Sequence, residues 1–243
     1  MNIHLISFGD NKFSNSKIRL KNQAYQSNFF NEITIYDEND LDDDFRNKFK
    51  EILKYKKGNG FYLWKIYLIH KTLKKLNEND ILIYIDSGST INENGKKKFN
   101  EYIELIKNNN IVCFETGYPE IQYTTNKIFQ KFSNINNEVD IYNSSQIVAN
   151  LLIIKKCENT SYIFSYLLDL VYYNQKIITD IYNNDINNSD KFITNRHDQS
   201  LISLAIKVFG KNIYIIKKDE TYFTNFGSNE SMEYPFWATR IRH

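Results

Sequence analysis

Short apolar runs alternate with longer segments of helical periodicity along the chain. The apolar run at 3–8 precedes a helical pattern over 12–28, and the β-branched run at 32–36 precedes a predicted helix over 45–54. The chain therefore begins with a strand, a helix, a strand and a helix, an order that is typical of α/β proteins.

The most apolar run, residues 81–85, lies between Asp80 and Asp86 and has no polar alternation. This pattern predicts a strand that is buried on both faces, in the middle of a mostly parallel sheet. We therefore predict an α/β/α sandwich, with helices on both sides of that sheet. The other predicted elements are helices over 63–76, 99–108, 162–173 and 198–209 and strands over 111–114, 151–155 and 212–216.

No linker rich in Gly, Ser or Pro divides the sequence and no repeat is visible, so we predict a single domain over residues 1–243. The sequence has 31 Lys plus Arg against 29 Asp plus Glu, a net charge of +2. This balance argues against a nucleic-acid partner, which usually requires a concentrated basic excess. The lysine-rich clusters at 54–57 and 96–98 are then solvated surface.

The two cysteines, Cys113 and Cys157, and the four histidines suit neither a disulfide scaffold nor a closed zinc site, which favours a reducing compartment. No run reaches the roughly 20 apolar residues of a membrane span. Asp10 also falls where a signal peptide would still be apolar. We therefore expect a cytoplasmic protein with no transmembrane segment.

Small and polar residues follow two of the predicted strands. In open α/β sheets, ligands bind beyond the carboxyl ends of the strands. Residues 7–10 follow the first strand and residues 86–89 follow the buried one. Asp86 offers a hard oxygen ligand for Mg²⁺ or Mn²⁺. The alternative interpretation is that Asp86 only caps the following turn.

Two further segments place charged residues near the start of a helix. In Gly-Phe-Tyr-Leu-Trp-Lys at 60–65, the aromatic rings could stack on a base or sugar while Lys65 meets a phosphate. The alternative is that the rings are core residues and Lys65 lies on a solvated face. In Arg-His-Asp-Gln-Ser at 196–200, Asp198 is either a helix N-cap or a general base.

Taken together, these segments resemble a family of GT-A-fold nucleotide-sugar glycosyltransferases that occurs in bacterial surface-polysaccharide clusters and in large DNA viruses. The resemblance covers nearly the whole chain and keeps the order of the family. It implies a single-domain GT-A fold and transfer of a sugar from a nucleoside-diphosphate sugar, expected to be a UDP-sugar, to a hydroxyl of a glycan or glycoprotein. The matching segments are 6–10 with Arg19 and Leu20, 60–65, 80–88, 120–124, 146–150 and 196–200.

The resemblance also implies roles for single residues. Asp198 faces the reacting sugar as the catalytic residue, either as a base in an inverting reaction or as an anion that stabilises the transition state in a retaining one. Asp86 takes the place of the Asp-x-Asp motif and binds Mn²⁺ or Mg²⁺. The expected nucleotide-binding residues are Ser7, Phe8, Asp10, Arg19, Lys65, Tyr84 and Asp86, and the expected sugar and acceptor residues are Trp64, Gly88, Gln146, Asn150, His197 and Gln199.

The sequence departs from the family pattern at two places. Gly88 stands where a full Asp-x-Asp motif has its second aspartate, so Asp86 is the one carboxylate expected on the metal. A His-Arg pair near the C-terminus of relatives is matched only by Thr239-Arg240, with His243 as a substitute ligand. The alternative function is therefore a non-catalytic nucleotide- or carbohydrate-binding domain on the same scaffold.

Overall fold

The computed structural model of the protein describes residues 1–133, 135 and 139–242. The strands in this part of the chain form at the apolar and β-branched runs of the sequence. They are β1 (Ile3–Phe8), β2 (Glu32–Tyr36), β3 (Ile81–Ile85), β4 (Thr90–Ile91), β5 (Ile111–Pro119), β6 (Ser145–Ile147), β7 (Leu151–Lys155), β8 (Ile213–Ile216) and β9 (Phe236–Trp237).

Helices connect most of these strands. They are α1 (Ser14–Ser27), α2 (Asp43–Lys48), α3 (Lys50–Leu53), α4 (Gly58–Phe61), α5 (Leu63–Leu73), α6 (Lys96–Asn108), α7 (Glu120–Tyr123), α8 (Asn126–Phe132), α9 (Glu158–Tyr173), α10 (Asp198–Phe209) and α11 (Asn229–Met232).

Most predicted elements are found near their expected bounds, and β7 and α10 coincide with them. The helix predicted over 45–54 is wrong as one element. It is divided into α2 and α3 because Phe49, at φ −111° and ψ 19°, leaves the helical region. Strand β5 also continues past the predicted 111–114, as far as Pro119.

Seven strands form one sheet in the order β2-β1-β3-β7-β5-β6, with β8 beside β5. Strands β1, β2, β3, β5 and β8 run in one direction, while β7 and β6 run in the other. The predicted mostly parallel sheet is therefore confirmed. Because β7 is antiparallel to β3, the turn before β7 lies at the same edge as the carboxyl end of β3, and Leu151 pairs with Ile85.

The core lies on both faces of the sheet. Leu82 and Tyr84 of β3 belong to the cluster that includes residues of α5, α9 and α10, and Ile81 and Ile83 belong to the cluster with α1 and α6. Every residue of β3 is buried, as the pattern predicts. Burial of one such side chain stabilises the fold by about 1.5–3 kcal/mol. The α/β/α sandwich is thus confirmed.

None of the helices in the described part of the chain is long and apolar enough to cross a bilayer.

Candidate active site at the carboxyl edge of the sheet

A buried ammonium group, that of Lys65, lies between two carboxylates at this edge of the sheet. Its Nζ is 2.6 Å from Asp198 Oδ2 and 3.4 Å from Asp86 Oδ1, and it donates a hydrogen bond to the Ala149 carbonyl at 3.0 Å. Only 4% of the Lys65 side chain is exposed, so Lys65 does not lie on a solvated face. The other part of that alternative is confirmed, because Phe61, Leu63 and Trp64 are core residues. The Lys65 ammonium is therefore the point where helix α5, strand β3, the turn before β7 and helix α10 meet. We call Lys65, Asp86 and Asp198 the Lys65 cluster.

A left-handed turn, formed by the short element α4 and Tyr62, places Lys65 in this position. All five residues from Gly58 to Tyr62 have positive φ, between 47° and 89°. The Phe61 and Tyr62 amides donate to the carbonyls of Lys57 and Gly58, at 2.8 and 3.0 Å, so the turn is closed by its own hydrogen bonds. This conformation disfavours each non-glycine residue by roughly 1–2 kcal/mol. Helix α5 begins directly after it, and Lys65 lies in the first turn of that helix.

Tyr84 holds the Asp86 carboxylate from inside the core. The fully buried Tyr84 hydroxyl donates a hydrogen bond of 2.6 Å to Asp86 Oδ1. Burial, together with the Asp86 charge, raises the pKa of Tyr84 well above its usual value, so the phenol remains a donor. The Asp86 side chain is 45% exposed, in contrast to its two neighbours. Asp86 is thus the most exposed member of the cluster and the first that a ligand from solvent meets.

Asp198 is the first residue of α10 and is buried. His197, not Asp198, precedes the helix as its N-cap residue, so the N-cap alternative for Asp198 is wrong. Burial raises the pKa of Asp198 to about 6, although Lys65 acts in the opposite direction. Burial alone would lower the pKa of Lys65, but Asp198 and Asp86 raise it, so the ammonium keeps its charge.

The ion pair between Lys65 and Asp198 is close in distance but poor in hydrogen-bond angle. Asp198 Oδ2 has no hydrogen-bond donor in favourable geometry among the described residues. A buried carboxylate oxygen without such a donor retains its capacity to accept a proton or a hydrogen bond. Asp198 Oδ2 can therefore still accept a proton or a hydrogen bond from a bound substrate.

Aromatic rings lie beside the cluster at the end of β1. Phe8 and Trp64 are stacked with centroids 4.1 Å apart, and Trp64 donates to the Gly58 carbonyl at 2.9 Å. The partly exposed Tyr62 ring lies 6.2 Å from Trp64. Ser7 is buried, and its hydroxyl has no hydrogen-bond partner within the described residues. Phe8 and Trp64 are themselves buried in the core, so the exposed Tyr62 ring is the aromatic surface that a planar ligand meets here.

The remaining residues predicted for the nucleotide, Asp10 and Arg19, make their hydrogen bonds outside the Lys65 cluster. Asp10 accepts from the Lys12 amide at 2.9 Å and caps its own turn. Arg19 donates to the Thr90 hydroxyl at 3.0 Å, so it supports the loop after β3.

Asn150 and Gly88 lie next to Asp86. The Asn150 carbonyl accepts from the Asp86 amide at 3.0 Å. The C-terminal segment crosses Gly88, whose carbonyl accepts from the Ile241 amide at 2.9 Å. A Cβ at Gly88 would lie 3.3 Å from Arg240 Cα. The position of the missing second aspartate is therefore covered by backbone.

The structure places Gln146 and Gln199 in a buried polar network rather than on the Lys65 ammonium. Gln146 Nε2 donates to Glu120 Oε2 at 2.9 Å, and Gln199 Nε2 donates to Gln146 Oε1 at 2.6 Å. Gln199 Oε1 accepts from the Ala149 amide at 3.3 Å, which links this network to the Lys65 cluster.

His197 has an unusual backbone, with φ 53° and ψ −116°. Its Nε2 is 2.8 Å from Asp180 Oδ1, and its ring lies 5.0 Å from that of Phe61. Burial lowers the pKa of His197, although Asp180 opposes this shift. The imidazole therefore connects α10 to the left-handed turn and to the loop that carries Asp180.

Two residues at the site, Asp180 and Arg242, had no predicted role, and Tyr62 was predicted only as one of the rings of the 60–65 segment. Burial and the nearby Asp198 raise the pKa of Tyr62, and the positive charge of Arg242 opposes that shift. Arg242 also lies 5.9 Å from the Phe13 ring. The sequence carried no signal for these contacts, since they depend on the left-handed turn and on the path of the C-terminal segment.

A divalent metal would find one accessible carboxylate here. Asp86 has an exposed side chain, Gly88 has no side-chain ligand atom and its carbonyl already accepts from Ile241 and Thr239, and His243 lies outside the described residues. Among residues whose positions are described, no three His, Cys, Asp or Glu side chains converge on one point. Mg²⁺ is commonly held by one or two carboxylates together with substrate phosphates. The donor set therefore fits a metal that arrives with a diphosphate and does not form a protein-held metal cage.

Comparison with known proteins identifies the fold. No family model matches the sequence, and no curated protein matches it. A glycosyltransferase involved in the glycosylation of the major capsid of PBCV-1 has a similar structure, with a TM-score of 0.54 at 11% identity over 98% of this chain and 93% of that one.

Two weaker similarities are to mouse xyloside xylosyltransferase 1 and to the galactosyltransferase LgtC with donor and acceptor sugar analogues. Their TM-scores are 0.47 and 0.49, their identities 12% and 9%, and they cover 89% and 96% of this chain and 85% and 86% of theirs. The protein thus has the α/β fold of a GT-A glycosyltransferase, as the PBCV-1 structure shows.

Proposed function

We propose that the protein is a glycosyltransferase that moves a sugar from a nucleoside-diphosphate sugar to a hydroxyl of an acceptor. The observation that carries this proposal is the Lys65 cluster, in which one exposed and one buried carboxylate flank an ammonium at the carboxyl edge of the sheet. This edge is where open α/β sheets bind their ligands. The fold shared with the PBCV-1 glycosyltransferase supports the same class of reaction.

The donor would bind across the ends of β1 and β3. The exposed Tyr62 ring, backed by the buried Phe8–Trp64 pair, and the unpaired Ser7 hydroxyl would meet the base and ribose, with UDP as the expected nucleotide. Asp86 would hold Mg²⁺ or Mn²⁺ together with the diphosphate. Such a metal neutralises charge that develops on the leaving diphosphate. Tyr84 keeps Asp86 oriented for this task through its hydrogen bond.

Asp198 would serve the reacting sugar and the acceptor. In the reaction the bond from the anomeric carbon to the phosphate oxygen breaks, and a bond from that carbon to the acceptor oxygen forms. The acceptor hydroxyl also loses its proton. With a pKa of about 6, Asp198 is an anion at neutral pH and can take that proton or stabilise the positive charge on the sugar ring. The Lys65 ammonium holds the Asp198 carboxylate in place.

The acceptor would be a glycan or glycoprotein. The PBCV-1 protein is described as acting in the glycosylation of a capsid protein. Because we propose the same class of reaction for this chain, its expected nucleophile is a hydroxyl of a protein-linked or free glycan.

A thermal-shift screen of nucleoside diphosphates and their sugars, with and without Mn²⁺, tests donor binding. A ligand at 100 times its Kd stabilises the protein by about 2.7 kcal/mol. We expect UDP with Mn²⁺ to give a large shift and Mn²⁺ alone to give little, because Asp86 is a single ligand. No shift with any nucleotide would contradict the proposal.

Turnover of the stabilising donor then tests the residues. We expect Asp86→Ala and Asp198→Asn to lose at least about a hundredfold in kcat/KM while the fold is kept. Asp169→Asn, an exposed carboxylate change on α9, is the matched control and should keep full activity. Donor binding without any turnover in the wild type would instead favour the non-catalytic binding domain.

A further inference from the structure

A stacked arginine and two tyrosines lie close to Asp198 but outside the Lys65 cluster. The Arg196 guanidinium carbon is 3.6 Å from the centroid of the Tyr123 ring and 5.5 Å from that of Tyr118. The two rings are 5.7 Å apart and nearly perpendicular, at 73°. We call these three residues the Arg196 platform.

The fold holds the platform in place. The Arg196 amide donates to the Tyr123 carbonyl at 3.1 Å, and the Ser200 hydroxyl donates to the same carbonyl at 2.6 Å. Tyr118 lies near the carboxyl end of β5, next to Gly117, which adopts φ 80°. Tyr118 is 51% exposed. One aromatic face is therefore fixed beneath the guanidinium and a second is open to solvent.

Among the residues that the structure describes, no acidic side chain pairs with the charge of Arg196. No ion pair between described residues includes Arg196. A guanidinium is a planar cation whose fork of N–H groups matches carboxylate and phosphate oxygens. Stacking on Tyr123 fixes the plane of this fork in advance, which reduces the entropy lost when an anion binds.

The position of the platform indicates which substrate it would meet. Arg196 is two residues before Asp198, so their Cα atoms are at most about 7 Å apart. Strand β5, which carries Tyr118, is separated from β3 by β7, a displacement of about 10 Å across the sheet. The platform thus follows β5 and lies next to Asp198 along the chain, whereas Phe8 and Asp86, where the proposed donor nucleotide binds, lie at the ends of β1 and β3.

We propose that the Arg196 platform is an acceptor subsite for a sugar that carries an anionic group. Arg196 binds the anion, and the exposed Tyr118 ring packs against the apolar face of the sugar. This inference rests on the proposed function, because it assigns the acceptor class of that same site.

Saturation-transfer NMR with small probes tests the subsite in the presence of UDP. The probes are methyl glucuronide, glucose 6-phosphate and, as the uncharged control, methyl glucoside. We expect wild-type protein to bind one or both charged probes at least about fivefold more tightly than methyl glucoside, since a charge-assisted bidentate contact is lost in the neutral sugar. Preference for methyl glucuronide identifies a carboxylated sugar, and preference for glucose 6-phosphate a phosphorylated one.

Variants separate this subsite from the donor site. Arg196→Gln should remove the preference for the charged probe and leave the Kd for UDP within about twofold, and Arg196→Lys should retain part of the preference. Lys191→Gln, an exposed charge change on the same loop, is the matched control. Tyr118→Ala should weaken the charged and neutral probes alike.

Three outcomes overturn the proposal: no probe binds, the neutral probe binds as well as the charged ones, or Arg196→Gln weakens UDP instead. In each of these cases UDP binding to the wild type leaves the proposed function standing. Failure of every nucleoside diphosphate to bind the wild type would overturn both.

Discussion

Asp198 is a carboxylate held inside the protein next to a permanent cation. Its side chain is almost fully buried, and burial raises its pKa to about 6 in spite of Lys65 at 2.6 Å. A folded-state pKa above the unfolded value means that the folded protein holds this proton more tightly than the unfolded chain does. The stabilisation from the protonated acid is present below about pH 4 and is lost as the pH rises through 6.

This shift predicts a pH dependence of stability that one substitution removes. Between pH 4 and 7, the free energy of unfolding of the wild type should fall relative to that of Asp198→Asn by on the order of 2–3 kcal/mol. Urea unfolding of both proteins across this range measures the difference. Asp44→Asn, an exposed change on α2, should follow the wild-type curve. Parallel curves for Asp198→Asn and the wild type would contradict the argument.

Single residues differ in how far the sequence reveals them. Asp86 was predictable because it directly follows a continuous apolar strand, and Asp198 because it opens a strongly periodic helix. The burial of Lys65 was not predictable, since a lysine near a helix start is ordinarily solvated. The position of Lys65 depends on the left-handed backbone of residues 58–62, and the hydrophobic periodicity of the sequence does not reveal that conformation.

At the level of elements, the left-handed turn at 58–62 determines where the side chains of Trp64 and Lys65 lie. Gly60 has the largest φ in the turn, 89°, and a Cβ there would lie 3.0 Å from Leu53 Cδ2 and 3.1 Å from Leu53 Cα. Glycine is therefore required at this position both by its dihedral angle and by the neighbouring helix α3.

Gly60→Ala should consequently destabilise the protein by about 2 kcal/mol or more, through backbone strain and the contact with Leu53. We also expect weaker UDP binding, because a changed turn moves the Trp64 and Lys65 side chains. Urea unfolding and calorimetric titration measure the two effects. Lys56→Ala, an exposed change just before the turn, serves as the control and should alter neither.

Elements with strong periodicity were the predictable ones. Strand β7 and helix α10 were predicted to their ends, whereas β6 and α8 were not predicted. β6 has only three residues and its partner β5 is irregular between Glu115 and Pro119. Short elements of this kind are formed by tertiary contacts and leave little periodic signal.

At the level of the whole molecule, a second buried ion pair binds α7, β6 and α10 together. Lys207 Nζ lies 2.9 Å from Glu120 Oε1 and donates to the Ser145 carbonyl at 2.7 Å. Glu120 is fully buried, and Ser203 and Gln146 also donate to it. A buried charge in such a network is destabilising when its partner is removed.

Glu120→Ala should accordingly lower the free energy of unfolding by about 3–5 kcal/mol, because Lys207 would remain buried without its partner. Thermal and urea unfolding check this. The surface pair of Lys217 and Glu115, also at 2.9 Å, supplies the comparison. Lys217→Ala should lower stability by less than about 1 kcal/mol. Equal effects of the two substitutions would show that the buried pair has no special role.

The stacking of Trp64 on Phe8 gives the protein a built-in optical reporter. The sequence has two tryptophans, and the other, Trp237, lies in β9 with its indole N–H donating to the Ser231 carbonyl. In Trp237→Phe, the remaining emission comes from one indole whose neighbour is a proposed base-binding ring. A nucleotide titration should then change the fluorescence intensity of Trp64, and the same titration with a free sugar should leave it unchanged.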